Sequence, residues 1–365
     1  MDATSLRLLN DYQRHFPRVD RPFAAIGAEL GMDEAAVIQA YEALCASGHL
    51  SRIGPVFAAG RAGRSALVAM AVPDDRLEQT AEKVNALPEV NHNYQREHHF
   101  NLWAVVAAPS AERFDAVLRT LGTAAEASPL VLPMIEAYHI DLGFDLCGGD
   151  AAGGDVVGEV AAAGAEGKRP GATVVPDRPG SSRRDADALS GPVPGTAHAS
   201  AACALPALEQ ALLAELQNGL PLCPRPFANL GERVGLSAGM TLELLERVLD
   251  DGLIRRFGVV VRHHELGYRA NAMCVWDVPD SEVRAVGARL AREAGVTLCY
   301  RRARALPHWR YNLFCMIHGR ARDEVEALRD TLASRLGLDA WPHAVLFSVR
   351  RFKQCGGRYF SSGTA

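Results

Sequence analysis

The sequence lacks several features that would assign it to a common class of protein. No apolar run reaches the length of about eighteen residues that a membrane span requires, and the first residues contain no apolar segment typical of a secretory signal. The eight cysteines include no Cys-x-x-Cys pair, so neither a zinc ribbon nor an iron–sulfur site is indicated. We therefore expect reduced thiols, a cytoplasmic location and no membrane partner.

An excess of positive charge is also absent. The 365 residues carry a formal net charge of −4, and 48% of them are hydrophobic, which is an ordinary globular composition with room for two or three domains. A DNA-binding protein needs a basic surface to neutralise phosphates. The composition therefore argues against DNA as a partner.

What the chain does contain is an internal repeat. The Arg-Pro-Phe-Ala motif of residues 21–24 recurs at residues 225–228, and several glycines recur at the same offset. Between the copies, residues 148–204 are rich in Gly, Ala, Ser, Pro and Asp, which predicts a flexible linker. The chain is thus expected to hold two homologous halves.

Each half is expected to contain two domains. Two helices separated by a turn and followed by a strand and a Gly turn predict a winged helix-turn-helix at residues 1–60 and again at 205–262. Downstream, the order strand-helix-strand-strand-helix-strand predicts a ferredoxin-like sandwich at residues 61–147 and 263–365. The fold class is therefore α+β in two tandem units, and it resembles the Lrp/AsnC family of transcription regulators across both halves.

The second helix of each helix-turn-helix is poor in positive charge. Residues 33–42 contain no cation, and in the second half Arg247 stands against four acidic residues. Such a surface repels polyanionic DNA. We expect the winged helices to brace the sandwiches or the pairing of the halves, without binding DNA.

One strand of the first sandwich carries an unusual set of polar side chains. Because strand residues alternate between faces, His92, Tyr94, Arg96 and His98 are expected to line one side. Two imidazoles, a phenol and a guanidinium form a poor apolar core but suit an anionic ligand. His99 points to the opposite face and is expected to be structural.

The corresponding strand of the second half is rich in arginine. Tyr300 and Arg302 match the Tyr and Arg of the first half, whereas Arg304 stands in place of His98. Arginine stays charged and binds carboxylates, while histidine titrates near neutral pH and can deliver a proton. We expect one site with acid groups from the first half and carboxylate clamps from the second. The predicted substrate-binding residues are Tyr94, Arg96, Tyr300, Arg301, Arg302, Arg304, Trp309 and Tyr311.

Two long motifs carry a closer resemblance. HNYQREHHFNLW at residues 92–103 and CYRRARALPHWRYNLFCMIHG at residues 299–319 resemble the siroheme decarboxylase family, in its fused two-subunit form from the d1-type haem pathway of denitrifying bacteria. The resemblance implies a carboxy-lyase that removes carbon dioxide from the acetate side chains at positions 12 and 18 of siroheme, giving 12,18-didecarboxysiroheme. It also implies that histidines of the site are essential and that no added cofactor is required.

The residues suit that chemistry. We expect His98 to be the leading proton donor and His92 the second, with Arg96, Arg302 and Arg304 as carboxylate anchors. Loss of carbon dioxide from an acetate on a pyrrole-type ring is eased if a ring carbon is first protonated, because the ring then becomes an electron sink for the breaking bond. Either histidine could instead be an axial ligand to the substrate iron, and no other metal is expected.

Two other functions use the same features. A transcription regulator of this fold would sense a tetrapyrrole, and a carrier would bind it without chemistry. The expected partners are the tetrapyrrole, the opposite half of the chain, and either further copies of the chain or companion decarboxylase subunits.

Several other residues are expected to be structural. Asn101 and Asn312 should secure hairpin backbone, and Trp103 and Phe314 should belong to the core. For His318, which ends a strand, a cap or interface role is at least as strongly indicated as catalysis.

Overall fold

The computed structural model describes residues 1–58, 61–140, 206–262, 265 and 267–360. The predicted linker at residues 148–204 lies outside the described residues. Within the described part of the chain, no helix is both long enough and apolar enough to cross a membrane.

The two halves contain the same elements in the same order. The first half comprises α1 (Ala3–Asn10), α2 (Pro22–Leu30), α3 (Glu34–Ala46), β1 (Leu50–Phe57), β2 (Arg64–Met70), α4 (Leu77–Asn85), β3 (Val90–Arg96), β4 (Leu102–Ala108), α5 (Ala111–Ala125) and β5 (Leu130–Ile140). The second half comprises α6 (Ala207–Leu216), α7 (Pro226–Arg233), α8 (Ala238–Asp250), β6 (Ile254–Val261), β7 (Ala270–Trp276), α9 (Val283–Leu290), β8 (Val296–Arg302), β9 (Leu313–Gly319), α10 (Arg322–Leu336) and β10 (His343–Gln354).

Local signals start and stop the helix-turn-helix elements. Gly31 adopts a left-handed conformation (φ 71°) that ends α2. The Asp33 carboxylate then accepts a hydrogen bond from the Ala36 amide at 2.6 Å and caps α3. Ser237 caps α8 in the same way, accepting from the Met240 amide at 3.3 Å. Equivalent positions in the repeat therefore produce equivalent helices.

The two wing strands pair with each other across the halves. β1 and β6 form an antiparallel two-stranded sheet in which Gly54 lies opposite Gly258. A Cβ atom at Gly258 would collide with the Tyr12 and Gln13 carbonyl oxygens, so this approach requires glycine. One apolar core beneath the sheet includes side chains from both winged helices, such as Phe23 and Phe227. The winged helices therefore join the two halves of the chain.

The eight remaining strands close into one barrel, in the order β10-β3-β4-β2-β5-β8-β9-β7. Each sandwich contributes four strands, and the last strand of each half reaches across to the other half. Met134 of β5 pairs with Arg302 of β8, and Arg351 of β10 pairs with Tyr94 of β3. The predicted α+β class in two tandem winged-helix and ferredoxin-like units is confirmed, and the barrel joins the two sandwiches into one structure.

Side chains of the barrel interior come from both halves. Trp103 and Phe314 are fully buried there, which confirms their assignment to the core. Asn101 donates to the Val72 carbonyl at 2.8 Å and accepts from its amide at 3.0 Å, and Asn312 makes the same pair of bonds to Val278. Both asparagines thus secure backbone, as predicted.

Candidate active site

The barrel holds a cavity of about 320 Å³ that is bounded on one side by the paired wing strands. Among the described residues, its lining includes three arginines and two histidines but no Asp or Glu. The charged, titratable or reactive lining side chains are Arg52, Arg96, Arg302, His92, His318, Tyr94, Tyr300, Tyr359 and Cys355. A cationic cavity without acidic side chains favours an anionic ligand.

Arg96 and Arg302 occupy equivalent places in the two halves. Nη1 of Arg96 donates to the Leu346 carbonyl at 2.9 Å, and Nη1 of Arg302 donates to the Leu132 carbonyl at 2.8 Å. Each guanidinium lies over a tyrosine of its own half, at 4.5 Å from the ring centre for Arg302. Burial lowers the pKa of both arginines, and neither forms an ion pair with a described residue. Their other N–H groups are therefore placed to bind carboxylates.

His92 lies in the cavity, as the strand alternation predicts. Its ring stacks on Tyr94 with the centroids 6.2 Å apart, and its Nδ1 lies 3.2 Å from the accepting Oδ1 of Asn91. Burial, with a smaller effect from the Arg52 charge, lowers the pKa of His92 to about 4. The imidazole is thus neutral in the unliganded cavity, and an arriving carboxylate would favour its protonated form.

His318 is a second cavity histidine. Asn271 Nδ2 donates to Nε2 of His318 at 3.1 Å, so Nδ1 carries the proton and lies 2.8 Å from Thr297 Oγ1. The same Asn271 accepts from the Arg96 guanidinium at 3.5 Å, a long contact. His318 and Phe314 are four residues apart on β9, so they lie on the same face of the strand, and Phe314 faces the barrel interior. This alternation is a signal in the sequence that could have predicted that His318 lies in the cavity.

Residues after β10 cover part of the cavity. Cys355, Gly356, Gly357 and Tyr359 contribute to its lining. Gln217, at the end of α6, holds this segment by accepting from the Tyr359 amide at 3.1 Å and donating to the carbonyl of the next residue at 2.7 Å. We call residues 355–360 the C-terminal roof.

The predicted position of His98 on the same strand face was wrong. β3 ends at Arg96, so alternation stops there, and His98 lies in the following turn outside the cavity lining. Its Nδ1 accepts from the Phe100 amide at 3.0 Å, and its ring packs edge-on against Trp309 with the centroids 5.4 Å apart. His99 is exposed in the same turn.

Two of the predicted clamps, Arg301 and Arg304, also lie outside the cavity lining. Arg301 pairs with Asp280 at 2.7 Å, and Arg304 pairs with Asp277 at 2.8 Å and Asp280 at 2.9 Å. Burial opposes ionisation of Asp277, but the hydrogen bonds from Arg304 and Arg310 outweigh it and lower the pKa of this carboxyl. Arg304 follows the end of β8 at Arg302, and Arg301 alternates to the strand face opposite Tyr300 and Arg302, so both cations neutralise local acids instead of facing the barrel interior.

Of the four aromatic residues predicted to bind substrate, two line the cavity and two lie outside it. Tyr94 and Tyr300 line the cavity, whereas Trp309 and Tyr311 do not. Trp309 is 1% exposed and packs edge-on against Trp103, with the centroids 5.1 Å apart. Tyr311 packs on Trp309. The long hairpin of the second half therefore fills the barrel with apolar surface.

No group of three or more His, Cys, Asp or Glu side chains that could hold a metal ion occurs among the described residues.

The described cysteines Cys274, Cys299 and Cys315 are buried and form no disulfide, and burial raises the pKa of each thiol.

Family profiles match both halves of the chain. A profile described as an AsnC-like ligand binding domain matches residues 61–139 and 265–353. One described as the siroheme decarboxylase NirDL-like HTH domain matches residues 6–50 and 209–255. The matched domain types therefore repeat along the chain.

Known proteins resemble the chain over its length. It is 37% identical to a siroheme decarboxylase NirDL subunit of Paracoccus pantotrophus over 98% of this chain and 97% of that protein. A separate NirL subunit of Stutzerimonas stutzeri is 51% identical over 40% of this chain and 85% of its own length. The crystal structure of a siroheme decarboxylase NirDL in complex with an iron-uroporphyrin III analogue matches with a TM-score of 0.62 and 28% identity, covering 98% of this chain and 94% of that one. The chain therefore belongs to the siroheme decarboxylase family.

Proposed function

We propose that this chain is a carboxy-lyase that removes carbon dioxide from the C12 and C18 acetates of siroheme and releases 12,18-didecarboxysiroheme. The observation that carries the proposal is the barrel cavity, where Arg52, Arg96 and Arg302 meet two imidazoles and no acid among the described lining residues. Siroheme presents eight carboxylates around a flat ring, which matches both the charge and the aromatic walls. A solved relative holds an iron-uroporphyrin III analogue, a ligand of the same chemical type.

Substrate binding would offset the burial of three arginine charges in the cavity. Burial lowers the pKa of all three arginines, because each charge is taken from water without an acidic neighbour. Substrate carboxylates supply the missing negative charge and accept charge-assisted hydrogen bonds. Tyr94 and Tyr300 offer ring faces for the macrocycle.

The chemical step consumes one proton for each carbon dioxide released. A histidinium protonates the pyrrole carbon next to the one that bears the acetate, the bond from the methylene to the carboxylate breaks, and its electron pair forms a double bond between the methylene and the ring. A second proton is then added to this exocyclic methylene carbon while the protonated pyrrole carbon loses its own, which leaves a methyl group. His92 is the donor that the geometry favours, because it lies in the cavity beside cationic groups that bind substrate.

His318 lies in the same cavity, with its Nδ1 proton directed to Thr297. We propose that it assists at the second acetate, since each half then supplies one imidazole. The assignment of His98 as leading donor stays a prediction. Axial binding of the substrate iron by His92 is the competing role, and a shift in the visible absorption of bound siroheme on replacing His92 by Ala would favour it.

The reaction needs no cofactor beyond the substrate in this proposal, since the ring itself accepts the electron pair. Both halves of the cavity come from one chain, so we also propose that it acts without companion subunits, although relatives include separate subunits. The cytoplasmic location stays a prediction.

A 320 Å³ cavity is at the lower end of the usual range for ligand pockets, roughly 300–1,000 Å³, and a tetrapyrrole with carboxylate arms lies at the upper end. The cavity must therefore widen when siroheme binds.

Anaerobic incubation of the purified chain with siroheme, followed by mass spectrometry of the tetrapyrrole, tests the proposal. We expect the loss of two molecules of carbon dioxide. Siroheme recovered intact, bound or free, would reject the enzyme and leave a carrier or a sensor.

A further inference from the structure

Arg52 reaches the cavity from the winged helix of the first half. It lies on β1, opposite Val260 of the paired wing strand, and its side chain lines the cavity. The repeat places Arg256 at the equivalent position of β6, but Arg256 donates to the Val259 carbonyl at 3.0 Å and to the Gln13 carbonyl, and it does not line this cavity. The two matched arginines therefore line different cavities.

The bonding of Arg52 is incomplete. Its Nη2 donates to the Pro55 carbonyl at 2.8 Å, while its buried Nε has no hydrogen-bond partner. No Asp or Glu among the described residues pairs with it, and burial lowers its pKa. A buried guanidinium with unmet donors is placed to bind an anion.

The surrounding backbone leaves room for this guanidinium. A Cβ atom at Gly356 would lie 2.7 Å from Cζ of Arg52, and one at Gly219 would lie 3.0 Å from its Cβ. The side chain thus lies between two glycines, one in the C-terminal roof and one between α6 and α7 of the second winged-helix domain. Its position is set by close packing, and that packing pre-organises the group.

We propose that Arg52 binds a carboxylate arm that siroheme keeps, and so makes the first winged helix part of the substrate-binding site. The inference rests on the proposed function. An arginine on the leaving carboxylate would stabilise the reactant and oppose release of carbon dioxide, so a retained arm beside His92 is the better occupant. A contact with a retained arm persists from the bound substrate to the transition state. It therefore contributes to KM rather than to kcat.

Three variants test the proposal with two readouts. Arg52→Met removes the positive charge. Arg52→Lys keeps the charge but lacks the planar guanidinium that can bind a carboxylate through two N–H groups. Arg256→Met is the matched control. The first readout is the Kd for iron-uroporphyrin III, followed by absorbance on protein normalised to its folded fraction. The second is steady-state turnover of siroheme without air.

Arg52→Met should raise both Kd and KM by about tenfold to a hundredfold with kcat changed by less than about threefold. Arg52→Lys should fall between this variant and the wild type, and Arg256→Met should keep the wild-type Kd. An unchanged Kd in Arg52→Met, or a loss confined to kcat, would overturn the proposal. If Arg52→Met fails to fold, the Kd of Arg52→Lys decides, and a wild-type value there would overturn it equally.

The two proposals fail in distinguishable ways. A wild-type chain that binds iron-uroporphyrin III but leaves siroheme intact would reject the enzyme, while the Kd series would still measure the role of Arg52.

Discussion

Arg302 donates a hydrogen bond to the backbone carbonyl of Leu132, which belongs to the opposite half of the chain. Arg96 of the first half donates the equivalent hydrogen bond to the backbone carbonyl of Leu346 in the second half. Each half therefore positions a guanidinium of the other, and neither half alone contains a complete cavity. The fused chain keeps both halves at a fixed ratio.

Arg302 and Arg304 form a matched pair for mutation, since they are two residues apart and only Arg302 lines the cavity. Arg302→Met should weaken binding of iron-uroporphyrin III at least about tenfold and, by leaving the Leu132 carbonyl unpaired, lower the free energy of unfolding by about 1–3 kcal/mol. Arg304→Met breaks ion pairs with Asp277 and Asp280 but should leave the Kd of the folded protein unchanged. Titration by absorbance gives the Kd of both variants, and urea unfolding gives the free energy of unfolding. Equal losses of affinity in the two variants would contradict the placement of Arg302 inside the cavity and Arg304 outside it.

His92 and His98 are compared by alanine substitution. Loss of a general acid lowers kcat by about a hundredfold to ten-thousandfold, and we expect that loss from His92→Ala because His92 lies in the cavity. His98 lies in the turn beside Trp309, so His98→Ala should have the smaller effect on kcat. Single-turnover rates with siroheme provide the measurement. The reverse order would support the sequence-based assignment of His98 and reject that of His92.

The stability of the unliganded protein should depend on pH through His92. Its pKa is lowered from 6.5 to about 4 in the folded protein, so the unfolded chain binds more protons between these values. The free energy of unfolding should therefore fall as the pH drops from about 6.5 towards 4. Urea unfolding at pH 7 and pH 5 should show a larger loss in the wild type than in His92→Phe. Equal losses would mean that another group titrates.

The C-terminal roof should control access to the cavity. Replacing Gln217 by Ala removes the hydrogen bonds that hold Tyr359 and Phe360, and should speed association with iron-uroporphyrin III. Stopped-flow absorbance gives the association rate. Gln210→Ala, on the same helix, is a control for general effects on that helix. An association rate unchanged in Gln217→Ala would mean that the roof does not limit binding.

The fold followed from local patterns. The repeated Arg-Pro-Phe-Ala motif, the helix caps and the order of strands and helices predict the domain types, because short-range signals decide them. The barrel closure depends on pairing between β5 and β8 and between β10 and β3, and no local pattern encodes those pairs.

The site was predictable only as far as the strands extend. Alternation placed His92, Tyr94, Arg96, Tyr300 and Arg302 correctly, since all lie within β3 or β8. It failed for His98 and Arg304, which follow the last strand residue. Placing Arg52 requires knowing that a wing strand meets the barrel, which only the tertiary structure reveals.

A crystal structure of this chain with iron-uroporphyrin III tests the central claim most directly. We predict that the macrocycle lies inside the barrel, with its carboxylates within hydrogen-bond distance of Arg52, Arg96 and Arg302 and with His92 beside the ring. A ligand seated outside the barrel, with Arg96 and Arg302 bound only to the carbonyls of Leu346 and Leu132, would contradict the account.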